Sequence, residues 1–309
     1  MDGILNINKP WGKTSFSLVA MVKRLSGERR VGHAGTLDPE ATGVLPICLG
    51  RGTRVVEFLV DTTKAYRAEI ELGVTTETYD ASGRIIQRGD PSGVNLEQLE
   101  SALASFCGLI WQTPPMYSAI KRQGKPLYQL ARAGITVERK SRLVKIHDLE
   151  LVDWQPPVAT VEVVCGKGTY IRSLAYDLGQ TLGCGAHLKG LIRLRCGLFD
   201  ISDAVSVPQL EDAFRYGSWQ HFIYPIDSVL SHWPAMIVND DARQGISNGR
   251  SLVLGNGEGS EGNSYLEQHI PAGSSSENRC RVYALDGCFL GVLRFNPERG
   301  QWQPEKVLF

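Results

Sequence analysis

The chain predicts an α+β fold. Its helical and strand-like segments intermingle without the regular strand, helix, strand rhythm that a doubly wound parallel sheet needs. Strict period-two alternation marks some segments, and apolar residues three and four apart mark others. With 309 residues, 42% of them hydrophobic, the sequence can fill one large domain, or a large one followed by a small one.

Thr14 and Ser15 are good N-cap residues, Leu18, Met21, Val22 and Leu25 follow at helical spacing, and Gly27 closes this first helix. From Lys64 to Leu72, Tyr66, Ala68, Ile70 and Leu72 share one face and Arg67, Glu69 and Glu71 the other, the pattern of a half-buried strand. Asn95 with Gln98 forms a capping box, and Leu96, Leu99, Leu103 and Phe106 carry a helical stripe as far as Gly108. Pro126 suits a first helical turn, with Leu127, Leu130 and Ala131 behind it and Gly134 at its end. Two strands are expected next, Leu143 to Val152 and Val158 to Cys165. After Gly166-Lys167-Gly168, Thr169 is placed to cap a helix bearing Ile171, Leu174, Ala175, Leu178 and Leu182.

Composition shifts near Ser231, which divides the chain into a domain of residues 1–231 and a β-rich unit of 232–309. Within the second unit, Gly255 to Asn278 is crowded with Gly, Ser, Glu and Asn and predicts a long flexible insertion. Asp286-Gly287 between two apolar runs predicts a hairpin. No internal repeat of the solenoid kind is present.

Lys and Arg total 33, as do Asp and Glu, which excludes a uniformly basic nucleic-acid-binding chain. Seven cysteines without a Cys-x-x-Cys pair, and without histidines at ligand spacing, predict neither a disulfide framework nor a zinc site. The start, Met1 to Pro10, lacks a basic stretch followed by an apolar run. Nor is there an apolar run of about eighteen residues, so a cytoplasmic protein without membrane contact is expected.

The segment Gly32-His33-Ala34-Gly35-Thr36-Leu37-Asp38-Pro39-Glu40-Ala41-Thr42-Gly43-Val44-Leu45-Pro46 is dense in chemistry-bearing residues. Pro39 holds Asp38 extended, suits the first position of a short helical turn, and leaves Gly43 to end it. Asp38 then stands at an N-cap, where the positive end of the turn favours the ionised carboxylate. On these residues alone, Asp38 is open to two readings, a cap or a reactive group.

That segment, with Gly3-Ile4-Leu5-Asn6-Ile7-Asn8-Lys9-Pro10, resembles the TruB-type pseudouridine synthases. Further stretches match family signatures in order: Lys64-Ala65-Tyr66-Arg67, Thr76 to Gly83, Gln112 to Ala119, Gly124 to Tyr128, Gly168 to Leu174 and Gly183 to Leu188. The resemblance covers residues 3 to about 200. It implies a catalytic domain with a mixed, largely antiparallel sheet flanked by helices, and a reaction that converts uridine-55 in the T-arm loop of tRNA to pseudouridine. It also implies no cofactor and no metal. The C-terminal unit is similar in position and size to the family's RNA-binding PUA-like domain, although its insertion departs from the compact pattern.

Asp38 is then the implied nucleophile, attacking sugar C1′ or base C6, or abstracting a sugar proton; the residues leave these routes open. Arg172 matches the arginine that pairs with it. Tyr66 matches the tyrosine that stacks on the target base, and its hydroxyl is a candidate to assist proton removal at C5. Tyr170 and Leu191 match positions lining the uracil pocket, and His33 the side chain that fills the stack when a base leaves it. Asp80, in the Thr78-Tyr79-Asp80-Ala81 turn, is open to two readings, a second active-site carboxylate or a turn residue, of which the turn is preferred.

Two basic runs suit a track for the RNA backbone. One holds Lys121, Arg122, Lys125, Arg132, Arg139, Lys140, Arg142 and Lys145 against Glu138; the other holds Lys189, Arg193 and Arg195. The function expected is that of a stand-alone, monomeric tRNA pseudouridine-55 synthase, since the signatures begin close to the N-terminus. The alternatives are a tRNA folding chaperone and a guide-RNA-dependent relative acting on ribosomal RNA.

Overall fold

The computed structural model describes residues 1–252 and 278–308. A ten-stranded mixed sheet runs through the larger part of the molecule. Its main path places Ile223–Tyr224, Gly3–Lys9, Thr42–Leu49, Ala186–Cys196, Lys64–Leu72, Val158–Cys165, Arg142–Gln155 and Gly108–Gln112 side by side. Every pairing along this path is antiparallel except that of Thr42–Leu49 with Ala186–Cys196, which joins through the pairs Ile192↔Thr42 and Arg193↔Gly43.

That parallel seam separates two cores. On one side Ala68, Ile70 and Leu72 of their strand meet Leu99 and Leu103 of helix Leu96–Ala104 and Leu174 and Leu178 of helix Ile171–Thr181. On the other, Leu5, Ile7, Leu45 and Ile47 pack under Leu18 and Val22 of helix Ser15–Ser26 and Leu210 of helix Val207–Tyr216. The alternation expected for Lys64–Leu72 therefore orients the strand as its pattern requires.

The caps follow the sequence closely. Thr14 accepts a hydrogen bond from the Ser17 N–H, Gly27 ends its helix at φ 66°, and the Asn95–Gln98 capping box is complete. Four boundaries differ. Helix Leu96–Ala104 stops before Phe106, and Gly108 instead begins an edge strand. Pro126 is the N-cap of Leu127–Arg132, not part of its first turn. The strand expected from Leu143 runs from Arg142 to Gln155. Thr169 caps nothing: its hydroxyl donates to the Gly166 carbonyl, and Tyr170 occupies the N-cap position.

Near the C-terminus, Ala235–Val238, Arg279–Ala284, Phe289–Asn296 and Gln301–Val307 form a four-stranded sheet, with helix Asp240–Ser247 beside it. The expected hairpin is present, Gly287 turning at φ 79°. The expected insertion, apart from Asn278, lies outside the described residues. This small sheet shares a core with the rest of the chain: Val292 and Leu308 cluster with Ile4, Val44 and Phe199. Among the described residues no helix is long and apolar enough to cross a membrane.

Candidate active site

Asp38 lies just before the Thr42–Leu49 strand, in a turn closed by the Ala41 N–H on the Asp38 carbonyl at 3.1 Å. The short helical turn expected there does not form. Distant groups hold the segment instead. The Ser15 hydroxyl both accepts from the Leu37 N–H and donates to the Leu37 carbonyl, at 2.9 and 3.1 Å. The fully buried Lys9 ammonium donates to the carbonyls of Pro39 and Pro10, and burial lowers its pKa to about 8. Gly43 does not end a turn; it sits in the strand at φ 100°, where an added Cβ would lie 2.2 Å from the Arg193 carbonyl oxygen.

Arg172 enters from the second position of helix Ile171–Thr181 and is 6% exposed. Its Nε and Nη2 reach the two carboxylate oxygens of Asp38 at 3.0 and 3.2 Å, a bidentate ion pair. Its Nη1 also reaches Asp80 at 3.4 Å, while Nη2 donates to the Tyr117 carbonyl at 2.9 Å. Asp80 is thus a turn residue and a second carboxylate on the same guanidinium. One oxygen takes bonds from Thr78 and Ser82, and the other faces Arg172.

Burial raises the Asp38 carboxyl above its ordinary value, Arg172 opposes this, and Asp80 adds to the rise. The N-cap expectation of an aspartate simply favoured as the anion is therefore corrected. No helical turn supplies a positive end, and desolvation is the larger influence. Arg172 favours the charged form.

Two cavities meet at this ion pair. The larger, about 770 Å³, is lined by Asp38, Arg172, Tyr66, Tyr170, Leu191, Tyr117, Ser118 and Arg193 among others. The smaller, about 350 Å³, shares Asp38, Asp80, Arg172 and Leu191 and is flanked by Trp11 and Lys189. Asp38, Arg172, Tyr66, Tyr170 and Leu191 therefore come together as the sequence expects. Buried Gln112 pins Tyr170 by accepting from its N–H at 2.7 Å and donating to its carbonyl at 3.0 Å. Burial pushes the Tyr66 hydroxyl up to about 12, so it is a neutral phenol at ordinary pH. His33 ends the short strand Val31–His33, half-buried, and is not part of either cavity wall. Burial lowers its pKa, which keeps the ring neutral.

The backbone-contact candidates divide. Lys121, Arg122, Lys125 and Lys140 are exposed, the first three on the hairpin formed by Lys121–Arg122 and Lys125–Pro126. Lys189 is exposed but paired with Glu71 at 3.2 Å. Arg142 is turned inward, its guanidinium carbon 4.8 Å from the centre of the Tyr170 ring. Arg193 does not belong to a surface track: it is 1% exposed and donates to the carbonyls of Val44 and Gly35 at 2.6 and 3.1 Å. Its guanidinium is engaged with the main chain of the Asp38 segment and with the Tyr66 hydroxyl, a role hidden in a run of basic letters.

Comparison with known proteins finds relatives along nearly the whole chain. Residues 23–171 match the family model described as TruB family pseudouridylate synthase (N terminal domain), and residues 172–231 that of the tRNA pseudouridylate synthase B C-terminal domain. The tRNA pseudouridine synthase B of Dehalococcoides mccartyi is 42% identical over 308 residues, 99% of this chain and 96% of that one. Its namesake in Geobacillus thermodenitrificans is 46% identical, with 82% and 86% covered. Among solved structures, a chain of a Cbf5-Nop10-Gar1 complex superposes with a TM-score of 0.74 at 25% identity, covering 99% of this chain and 85% of that one.

Proposed function

The chain belongs to the TruB family of pseudouridine synthases, and from that premise we propose that it converts uridine-55 in the T-arm loop of tRNA to pseudouridine. The carrying observation is the Asp38–Arg172 ion pair, set in a cavity walled by Tyr66, Tyr170 and Leu191.

The reaction breaks the N1–C1′ bond, forms a C5–C1′ bond, and exchanges the proton lost from C5 for one gained at N1; no electrons enter or leave. Asp38 acts as the nucleophile, kept anionic and aimed by Arg172. Tyr66 stacks on the flipped base, with Tyr170 and Leu191 completing an apolar slot for a pyrimidine. His33 fills the vacated place in the RNA stack, and Lys121, Arg122, Lys125, Lys140 and Lys189 steer the phosphates. The enzyme works as a cytoplasmic monomer, with residues 1–231 as the catalytic domain and 232–309 as a PUA-like RNA-binding unit. Relatives with 42% identity along nearly the whole chain bear the tRNA enzyme's name, against 25% for a chain of an archaeal box H/ACA sRNP complex, which favours the stand-alone activity.

Purified protein incubated with unmodified tRNA should form pseudouridine at position 55, and Asp38→Asn should form none. Product at another position, or an active Asp38→Asn protein, refutes the proposal. If Asp38→Asn still refolds tRNA, chaperoning is a separate property of the same surface.

A further inference from the structure

Five buried side-chain atoms among the described residues have no hydrogen-bond partner: Asn6 Oδ1, His33 Nδ1, Thr75 Oγ1, Ser118 Oγ and Arg142 Nε. Ser118 and Arg142 also line the larger cavity. Arg142 is engaged elsewhere, its Nη2 on the Gly168 carbonyl and its plane near Tyr170. Ser118 has only its hydroxyl, which is unpaired although the residue is 5% exposed.

Burying a hydroxyl without a partner is unfavourable, and such a group on a cavity wall is placed to be completed by what the cavity binds, a ligand or an ordered water. The surroundings of Ser118 suit that role. Its carbonyl accepts from the Tyr128 N–H at 3.0 Å, and the adjacent Tyr117 carbonyl accepts from Arg172 Nη2 at 2.9 Å. The serine is thus anchored on both sides, once by the guanidinium that orients Asp38. A residue whose main chain is held in this way has only its side-chain rotation left to lose when the hydroxyl meets a ligand.

We propose that the Ser118 hydroxyl is a substrate contact, hydrogen-bonding a neutral polar group of the target nucleotide, a uracil carbonyl or the ribose 2′-hydroxyl. This rests on the proposed pseudouridine synthase reaction and adds a recognition residue to it. A serine hydroxyl both donates and accepts, so it matches either group. Thr75, also unpaired, lines neither cavity and carries no such role.

The test is Ser118→Ala on the full chain. Losing one neutral hydrogen bond to substrate should lower kcat/KM roughly 5- to 10-fold. The melting temperature should hold, because the hydroxyl has no internal partner to lose. Stem-loop RNAs with 2′-deoxyuridine or an abasic ribose at the target position separate the two groups by their Kd values. A penalty that persists with deoxyuridine and disappears with the abasic ribose places Ser118 on the base; the reverse places it on the sugar. Wild-type activity with an undiminished Ser118→Ala variant overturns the proposal, as does a lowered melting temperature with unchanged kcat/KM and Kd. A wild-type protein that makes no pseudouridine instead defeats the underlying reaction.

Discussion

At the scale of single residues, Arg172 decides the state of the site, because one buried guanidinium holds two carboxylates. Asp38 is the group whose ionisation matters, and its folded pKa is raised above the ordinary 3.8 by burial. The acid limb of kcat/KM should therefore lie above that value, and Arg172→Met should move it further up while cutting the rate by roughly 100-fold or more. A limb at or below the ordinary value would contradict this. The linkage has a definite sign. The folded protein binds the Asp38 proton more tightly than the unfolded chain, so this group's contribution to stability declines as pH rises between the two pKa values. Asp38→Asn should accordingly melt no lower than wild type at neutral pH while losing activity. Asp38 and Arg172 were legible from motifs. For Asp80 the turn reading was preferred to that of a second active-site carboxylate, because its local bonds to Thr78 and Ser82 are what a turn requires. Its other oxygen points to a residue on a remote helix, which no local pattern encodes.

At the scale of elements, legibility followed the range of the forces involved. Caps at Thr14 and Asn95, and the alternation of Lys64–Leu72, are settled within a few residues, and the structure agrees. The Asp38 turn was misread as helical because its conformation is imposed by Lys9 and Ser15 from another part of the chain. Gly43 illustrates the same limit. It reads as a helix stop, yet the backbone of Arg193 crosses it too closely for any side chain. Gly43→Ala should cost about 1–3 kcal/mol, from strain at positive φ and the clash, measured as a shift in the urea midpoint. The loss of activity should be larger than that stability change implies, since Asp38 is anchored just upstream. Full activity in a destabilised Gly43→Ala protein would separate the two effects and reject this coupling.

At the scale of the whole molecule, the zero net charge is an average over unlike regions. The exposed Lys121, Arg122, Lys125 and Lys140 lie in a stretch with few acidic neighbours, whereas Arg193 is withdrawn into the interior. Binding of tRNA should weaken as salt rises, and Lys121→Ala or Lys140→Ala should each reduce the slope of log Kd against log salt by about 1 per lost phosphate contact. Salt-independent binding would remove these lysines from the interface. The α+β architecture was readable from periodicity, but the merging of the C-terminal sheet into a shared core was not, because Val292 and Leu308 meet Ile4 and Val44 from the opposite end of the chain.

The parallel seam at Ile192↔Thr42 and Arg193↔Gly43 carries a further consequence. Asp38 enters from one side of it, while Arg172 and Asp80 belong to the other. Neither half-sheet holds both partners of the ion pair, however well its own core is packed. The alignment of carboxylate and guanidinium is therefore a readout of how the two half-sheets meet, and substitutions at the seam should disturb the pairing before they disturb either core.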